Sequence, residues 1–134
     1  MATMHLDIIT AEKHVLSQEA TFLSAPGLAG QLGILPNHAP LVSSLKAGEL
    51  LIRSEKGEES LVLTGGFIEI LSNNVTILAD ACELTEEINE ERAQEAIERA
   101  KERIQNRDAT TDLERALNSL QRAEVRVTIA KRRK

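Results

Sequence analysis

The sequence is poor in aromatic residues. It contains no Trp and no Tyr, and its two aromatic side chains are Phe22 and Phe67. The core must therefore be filled by Leu, Ile, Val and Ala. The same scarcity removes the stacking platforms on which proteins hold single-stranded nucleic acid, so we expect no nucleic-acid partner.

Cysteine and long apolar runs are also scarce. A single cysteine, Cys82, excludes an internal disulfide and a cysteine-built zinc site, and it fits a reduced, intracellular compartment. No run approaches 18 apolar residues, and no basic segment followed by an apolar one opens the chain, so neither a spanning helix nor a signal peptide is predicted. We expect no direct membrane insertion, and any association with a membrane should be through a partner.

Catalytic motifs are missing as well. The three histidines, His5, His14 and His38, do not have the spacing of metal ligands, so we expect no metal site. His38 is interpreted first as a loop histidine that bonds a backbone carbonyl. We interpret residues 64–66, Thr-Gly-Gly, as a turn between strands and not as a phosphate-binding loop.

Most of the N-terminal part has the period-two pattern of β-strands. Apolar residues alternate with polar ones in short segments, and Gly- or Asn-containing links separate the segments at residues 54–58 and 72–74. Many short strands with no helical pattern between them predict an antiparallel β-sandwich or barrel.

The period changes to that of a helix after Leu84. Asn89 is a good N-cap for a first helix that we expect to run to about Arg107. After a polar break at 106–111, residues Thr111 to Glu114 form a capping-box pattern. We place two narrow, alanine-rich stripes on these helices, which predicts an antiparallel hairpin. The stripe residues are Ala93, Ala96, Ile97, Ala100 and Ile104 in the first helix, and Leu113, Ala116, Leu117, Leu120, Ala123 and Val127 in the second.

Charge is distributed unevenly along the chain. Residues 1–84 carry 4 basic against 10 acidic side chains, residues 85–114 carry 5 against 10, and residues 115–134 carry 7 against 1. The basic end is typical of a docking surface for an acidic partner. On the helical wheel Arg92, Arg99 and Arg103 fall within about 40° and form a basic ridge, whereas the alternative is a solvated face with pairs such as Glu95 to Arg99.

The segment Gly30–Leu41, GQLGILPNHAPL, is the most distinctive stretch. Its two glycines permit unusual backbone angles and its two prolines fix φ, so we interpret it as a proline-pinned corner. With Thr-Gly-Gly-Phe at 64–67 and Val-Thr-Ile-Leu-Ala at 75–79, it resembles the epsilon subunit of F-type ATP synthases over essentially the whole chain. The resemblance implies an α+β protein, with a β-sandwich at residues 1–84 that binds the rotor and a regulatory helical hairpin at 85–134.

The resemblance also implies the role and the partners. The family member is a non-catalytic subunit with no required cofactor, which joins the gamma subunit to the c-subunit ring at the cytoplasmic face of the membrane. The expected rotor contacts are Gln31, Pro36 and His38, and the loop at 29–31 is placed nearest the ring. The hairpin would restrain ATP hydrolysis when it extends towards the alpha and beta catalytic subunits.

Some bacterial members bind regulatory ATP through an Ile/Leu-Asp-x-x-Arg-Ala motif and arginines further along. The matching residues here are Glu83, Ile88, Asn89, Arg92, Ala93, Arg99, Arg122 and Arg126. Guanidinium groups suit phosphates because they donate paired hydrogen bonds. The sequence departs from the motif at Asn89, where the family has Asp. Asparagine can cap a helix, but it supplies no negative charge. Participation of Mg²⁺ stays open.

Two other functions remain at this stage. A free-standing ATP sensor, with the hairpin as a lid, would be a soluble monomer that has no stable partner. An enzyme built from Glu83, His38 and Asp80 is the weakest alternative, since the sequence predicts no fold that assembles these three residues.

Overall fold

The computed structural model describes residues 2–84, 88–106 and 112–132. The chain forms two compact units, Met1–Leu84 and Thr85–Lys134. The first contains the strands and the second the helices, so the predicted α+β class is confirmed. The elements are β1 (Met4–Ile9), β2 (His14–Ala20), β3 (Phe22–Gly27), β4 (Gly30–Ile34), β5 (Leu41–Ser54), β6 (Gly57–Leu71), β7 (Asn74–Ala79), β8 (Cys82–Leu84), α1 (Glu90–Gln105) and α2 (Leu113–Arg132).

Strands β5 and β6 join the two layers of the sandwich. They are 14 and 15 residues long and pair with each other along nearly their whole length. One half of the pair continues through β7 to β1 and β2, and the other half pairs with β3 and β4 on one side and with β8 on the other. The neighbours are antiparallel except β1 and β7, which are parallel.

Aliphatic side chains fill the space between the layers, as the shortage of aromatic residues predicts. Alternate residues of the strands point inwards and join one cluster, to which no aromatic residue contributes. Its fully buried large members include Leu6, Ile8, Leu23, Leu50, Ile52, Leu63, Ile68 and Ile77. Close packing of these branched side chains fixes the register of the strands, because a shift by one residue would expose the whole set.

The turn predicted at Thr64-Gly65-Gly66 was wrong. These residues lie inside β6, at the point where the strand passes from one layer to the other. Gly65 and Gly66 have φ of 122° and 138°, which L side chains rarely adopt. A Cβ at Gly66 would lie 2.1 Å from the carbonyl oxygen of Leu78 on the neighbouring strand. Paired glycines here bend a strand without ending it.

The corner predicted at Gly30–Leu41 begins later than expected. Its first five residues form β4, an edge strand paired with β3, and the loop itself covers residues 35–40. Gly30 has φ of 137° at the β3–β4 connection, whereas Gly33 has no positive φ and needs no special backbone freedom. Pro36 and Pro40 limit the number of backbone hydrogen bonds that the loop can make, because neither residue has an N–H to donate.

The second unit is a pair of packed helices. Ala93 and Ile97 of α1 share a cluster with Ala123 and Val127 of α2. Ala93 lies near the start of α1 and Val127 near the end of α2, so the helices run antiparallel, as the hairpin prediction requires. In α2 the positions 116, 120, 123, 127 and 130 face inwards at alternating steps of four and three, which is the spacing of a coiled-coil seam.

Two details of the hairpin prediction were wrong. Leu113 and Leu117 are 39% and 48% exposed, since Leu117 lies out of phase with the seam and Leu113 is the first residue of α2. The cap of α2 is Asp112, whose Oδ1 accepts from the backbone N–H of Arg115 at 3.0 Å. Thr111, the predicted cap, and Arg107, the predicted end of α1, lie outside the described residues.

Candidate functional site

One face of the sandwich exposes large apolar side chains where a solvated sheet would carry polar ones. Phe67 of β6 lies directly opposite Leu78 of β7, and the two are 55% and 52% exposed. Val42 and Leu71 are also exposed and alternate in phase with Phe67, so they point to the same side. We call Val42, Phe67, Leu71 and Leu78 the outer apolar face. Phe67 and Leu78 are direct neighbours, whereas the exposed Glu69 lies between Phe67 and Leu71 and opposite Val42. Large exposed apolar side chains grouped on one face mark interaction sites.

A group of charged side chains borders this face on β1 and β2. The two carboxylate oxygens of Asp7 face different imidazoles: Oδ2 lies 3.2 Å from Nε2 of His5, and Oδ1 lies 3.2 Å from Nε2 of His14. Nδ1 of His5 lies 3.1 Å from the carboxylate of Glu19. The Ser17 hydroxyl, with the imidazoles of His14 and His5, holds the pKa of Asp7 below its ordinary value of 3.8, although desolvation opposes the shift. Two of these contacts, His5 to Glu19 and His14 to Asp7, link the side chains of β1 and β2 on the exposed side of the strand pair.

The predicted rotor contacts lie in two separate places. Gln31 is near the β3–β4 connection, where its Nε2 donates to Oγ of Ser24 at 3.2 Å, and Leu28 beside it is 66% exposed. Pro36 and His38 lie in the loop beyond the opposite end of β4. Because the strand rises about 3.3 Å per residue, Gln31 is already about 10 Å from Ile34. The structure does not bring Gln31 together with the other two residues.

His38 makes the contact predicted for a loop histidine. Its Nδ1 donates to the backbone carbonyl of Ala39 at 2.7 Å. A carbonyl oxygen can only accept, so this contact requires a proton on Nδ1, and Nε2 becomes an acceptor when the ring is neutral. The side chain is half-buried, which leaves part of the ring open to a partner.

The residues of the ATP motif have different environments. Asn89 is the N-cap of α1, and its side-chain oxygen accepts from the backbone N–H of Arg92 at 3.1 Å. The aliphatic side chains of Ile88 and Ala93 are 3% and 5% exposed, so they contribute packing. Glu83 lies in β8 of the first unit and is half-buried.

The arginines of the motif lie on both helices. Arg92 and Arg99 of α1 are exposed two turns apart, about 10 Å along the helix. Arg122 and Arg126 of α2 are half-buried, and Nη2 of Arg122 donates to Oγ of Ser119 at 3.0 Å. Because the helices are antiparallel and Ala93 and Ile97 share a cluster with Ala123 and Val127, Arg92 lies near the level of Arg126, and Arg99 lies near the level of Arg122.

The basic ridge of α1 borders an open depression. Its volume is about 320 Å³, and Arg99, Glu102, Arg103 and Asn106 line it. Within the described ranges, the guanidinium groups of Arg92, Arg99 and Arg103 make no hydrogen bond and no ion pair, so the Glu95 to Arg99 pair of the alternative interpretation does not form. Unpaired guanidinium groups on one ridge suit a phosphate chain.

The residues of the enzyme alternative are not assembled in the sandwich. The neighbour of His38, Asn37, contacts Asn73 just before β7, whereas Asp80 follows the other end of that strand. Six residues of extended chain separate these ends by about 17 Å. Over residues 2–84, 88–106 and 112–132, no three His, Cys, Asp or Glu side chains are arranged to hold a metal ion.

The described helices contain no segment that is long and apolar enough to cross a membrane.

Two family models match the chain. The ATP synthase Delta/Epsilon chain beta-sandwich domain matches residues 3–85, and the long alpha-helix domain of the same chains matches residues 86–131.

Curated relatives match over nearly the full length. The ATP synthase epsilon chain of Herpetosiphon aurantiacus is 44% identical over 131 residues, which cover 98% of this chain and 96% of the relative. That of Moorella thermoacetica is 45% identical over 131 residues, which cover 97% and 98%.

Solved structures share the fold. A chain of the Euglena gracilis mitochondrial ATP synthase, in a structure of OSCP, F1 and c-ring, superposes with a TM-score of 0.84 at 23% identity, covering 93% of this chain and 79% of that one. A chain of the Tetrahymena thermophila central stalk and c-ring gives 0.70 at 18% identity, covering 95% and 96%. With the two family models and relatives above 40% identity, the chain belongs to the delta/epsilon chain family of ATP synthases, and the relatives it matches are epsilon chains.

Proposed function

We propose that the chain is a non-catalytic, peripheral subunit of the central stalk that joins the gamma shaft to the c-subunit ring at the cytoplasmic face of the cell membrane. The observation that carries the proposal is the outer apolar face. Four large apolar side chains on one sheet face cost solubility unless a partner covers them. A shaft subunit that binds permanently would cover such a surface.

Two further surfaces suit the ring and the shaft. The β3–β4 connection presents Leu28 at an end of the sandwich, next to Gln31, and we assign it to the c-subunit ring. The loop at residues 35–40, with Pro36 and His38, is assigned to a rotor contact as well. Since the two places are separate, a subunit that touches ring and shaft at once can use both.

The helical hairpin is proposed to restrain ATP hydrolysis. Its seam is made largely of alanine, so each helix buries little apolar area. The free energy gained by this burial is small compared with the conformational entropy that is lost when the helix becomes ordered. A weakly held pair of helices can exchange its internal contacts for contacts with a partner. The basic end of the chain would then be attracted to an acidic surface of the alpha and beta subunits.

ATP is proposed as a regulatory ligand that favours the folded hairpin. Arg92 and Arg99 of α1, with Arg122 and Arg126 of α2, would bridge the two helices through the phosphates. The support is that Arg92 lies near the level of Arg126 and Arg99 near the level of Arg122, and that the ridge guanidinium groups are unpaired within the described ranges. Because the oxygen of Asn89 is engaged in the cap, the charge that recognises the nucleotide would come from the arginines.

The test is binding of full-length protein to gamma and to the c-subunit ring in separate experiments. Phe67→Ser and Leu78→Ser each remove an exposed apolar side chain whose burial by gamma would be worth about 2 kcal/mol, so the affinity for gamma should fall at least tenfold. Leu28→Ser is the matched control, since it removes an exposed apolar side chain elsewhere and should weaken ring binding alone. A parent protein that binds ATP but neither rotor component would favour the free-standing sensor.

A further inference from the structure

The loop at residues 35–40 has few means of holding its shape. Two of its six residues are prolines, which cannot donate from the backbone. Across the described residues, no hydrogen bond between backbone groups outside the regular elements involves any residue of this loop. The bond from His38 to Ala39 lies within the loop and does not tie it to the rest of the sandwich.

Asn73 supplies the missing tie from the β6–β7 turn. Its Oδ1 accepts from the backbone N–H of Asn37 at 2.8 Å, although the two residues are 36 positions apart. Its Nδ2 donates to the backbone carbonyl of Thr3 at 2.8 Å, and its own carbonyl accepts from the backbone N–H of His5 at 3.1 Å. The amide orientation is unambiguous, because a flipped side chain would place a donor against a donor and an acceptor against an acceptor.

The backbone conformation of Asn73 explains how one side chain reaches both segments. Its φ is 62°, in the left-handed region that asparagine tolerates better than most residues. Ser72 before it has φ of 50°, so the turn points the Asn73 amide towards the start of β1 and the loop. The hydrogen bond to Thr3 is partly buried, which strengthens it, whereas the bond to Asn37 is exposed.

We propose that Asn73 is the positioning residue for the loop that carries Pro36 and His38, and that it sets the shape in which this loop meets the rotor. The inference rests on the proposed function for its partner, but the hydrogen bonds from which it starts belong to the isolated subunit. Loss of the Asn73 amide would release Asn37 from the sandwich and leave the loop to sample other conformations before binding.

Three variants distinguish the effect of the Asn73 side-chain hydrogen bonds from the effect of the turn's backbone conformation. Asn73→Gly keeps the left-handed backbone, which glycine adopts freely, and removes both side-chain bonds. Asn73→Asp keeps an acceptor for Asn37 and loses the donor to Thr3. Ser72→Gly is the matched control, because it changes the neighbouring left-handed residue without touching the amide.

Two readouts apply to each full-length variant: amide hydrogen exchange at Asn37 in the isolated subunit, and affinity for the assembled gamma and c-ring rotor. In Asn73→Gly we expect exchange at Asn37 to accelerate about fivefold or more and rotor affinity to fall by a similar factor. Asn73→Asp should retain most of the protection at Asn37 and most of the affinity, and Ser72→Gly should match the parent.

Unchanged exchange at Asn37 in Asn73→Gly would overturn the inference, as would accelerated exchange with unchanged rotor affinity. A uniform rise in exchange over the whole sandwich would also overturn it, since that result indicates a general loss of stability. If the parent protein fails to bind the rotor, the proposed function fails, while the exchange data still decide whether Asn73 holds the loop.

Discussion

The side-chain oxygen of Asn89 accepts a hydrogen bond from the backbone N–H of Arg92 at 3.1 Å. Both residues belong to the motif that resembles an ATP site, and here they start helix α1. The cap satisfies a backbone donor that would otherwise have no partner in the helix. The position therefore has a structural role that does not depend on any nucleotide.

Replacement of Asn89 separates the cap from the charge. Asn89→Ala removes the cap and should lower the helix content of the hairpin, at a cost of about 1 kcal/mol. Asn89→Asp keeps the cap, adds a negative charge at the helix N-terminus, and restores the family motif, so helix content should be retained and ATP affinity should rise. Circular dichroism and calorimetry with ATP measure the two effects. Lower ATP affinity in Asn89→Asp would contradict the expected role of this position.

The bridging arginines can be tested without the rest of the complex. Arg92→Ala and Arg126→Ala should each weaken ATP binding to the isolated protein about tenfold or more, because each removes a charged donor to the phosphates. Lys101→Ala is the control, since Lys101 is exposed on the opposite side of α1 from Arg92. Equal losses in all three variants would indicate a general electrostatic effect, and no ATP binding by the parent at millimolar nucleotide would remove the ligand proposal.

Two glycines with similar backbone angles should respond very differently to alanine. Gly57 has φ of 120° with no atom near the position of a Cβ, so Gly57→Ala should cost only backbone strain, about 1 to 3 kcal/mol. Gly66→Ala adds a clash with the backbone of β7 and should destabilise by several kcal/mol or prevent folding. Thermal unfolding measures both. Comparable melting temperatures for the two variants would contradict the close approach of β6 and β7.

The group around Asp7 predicts a stability change at acid pH. The folded-state pKa of Asp7 is lowered, so its contribution is present above the ordinary value of 3.8 and is lost as the pH falls through the folded pKa. Asp7→Asn should be less stable than the parent at neutral pH, and the difference should shrink below about pH 4. Glu55→Gln, in an exposed turn, is the control. Denaturant unfolding of the parent and both variants from pH 3 to 7 measures the stability difference. A difference that stays constant across this range would contradict the prediction.

Local patterns predicted much of the fold. Period-two segments located most strands, and the sequence around Asn89 located the start of α1, because capping and alternation are decided by neighbours in the chain. Paired glycines at 65 and 66 misled the prediction, since their effect depends on β7, which lies beside them only in the folded sheet. The cap at Asp112 was missed because Thr111 fitted the same box pattern one residue earlier.

The candidate surfaces were harder to predict because they depend on distant contacts. Alternation along each strand separates Phe67 and Leu78 from their buried neighbours, but only the sheet register shows that the two lie opposite each other. The tie between Asn73 and Asn37 joins residues that no local pattern connects. Gln31 and Pro36 were both assigned to the rotor from the family resemblance, and the extended β4 separates them.

ATP hydrolysis by the reconstituted ATP synthase complex tests the central claim most directly. The full chain is compared with a chain that ends at Leu84, the last residue of the first compact unit. If the hairpin restrains the catalytic head while the sandwich holds the rotor, the truncated chain should still assemble and hydrolysis should be faster than with the full chain. An unchanged rate in a fully assembled complex would contradict the account.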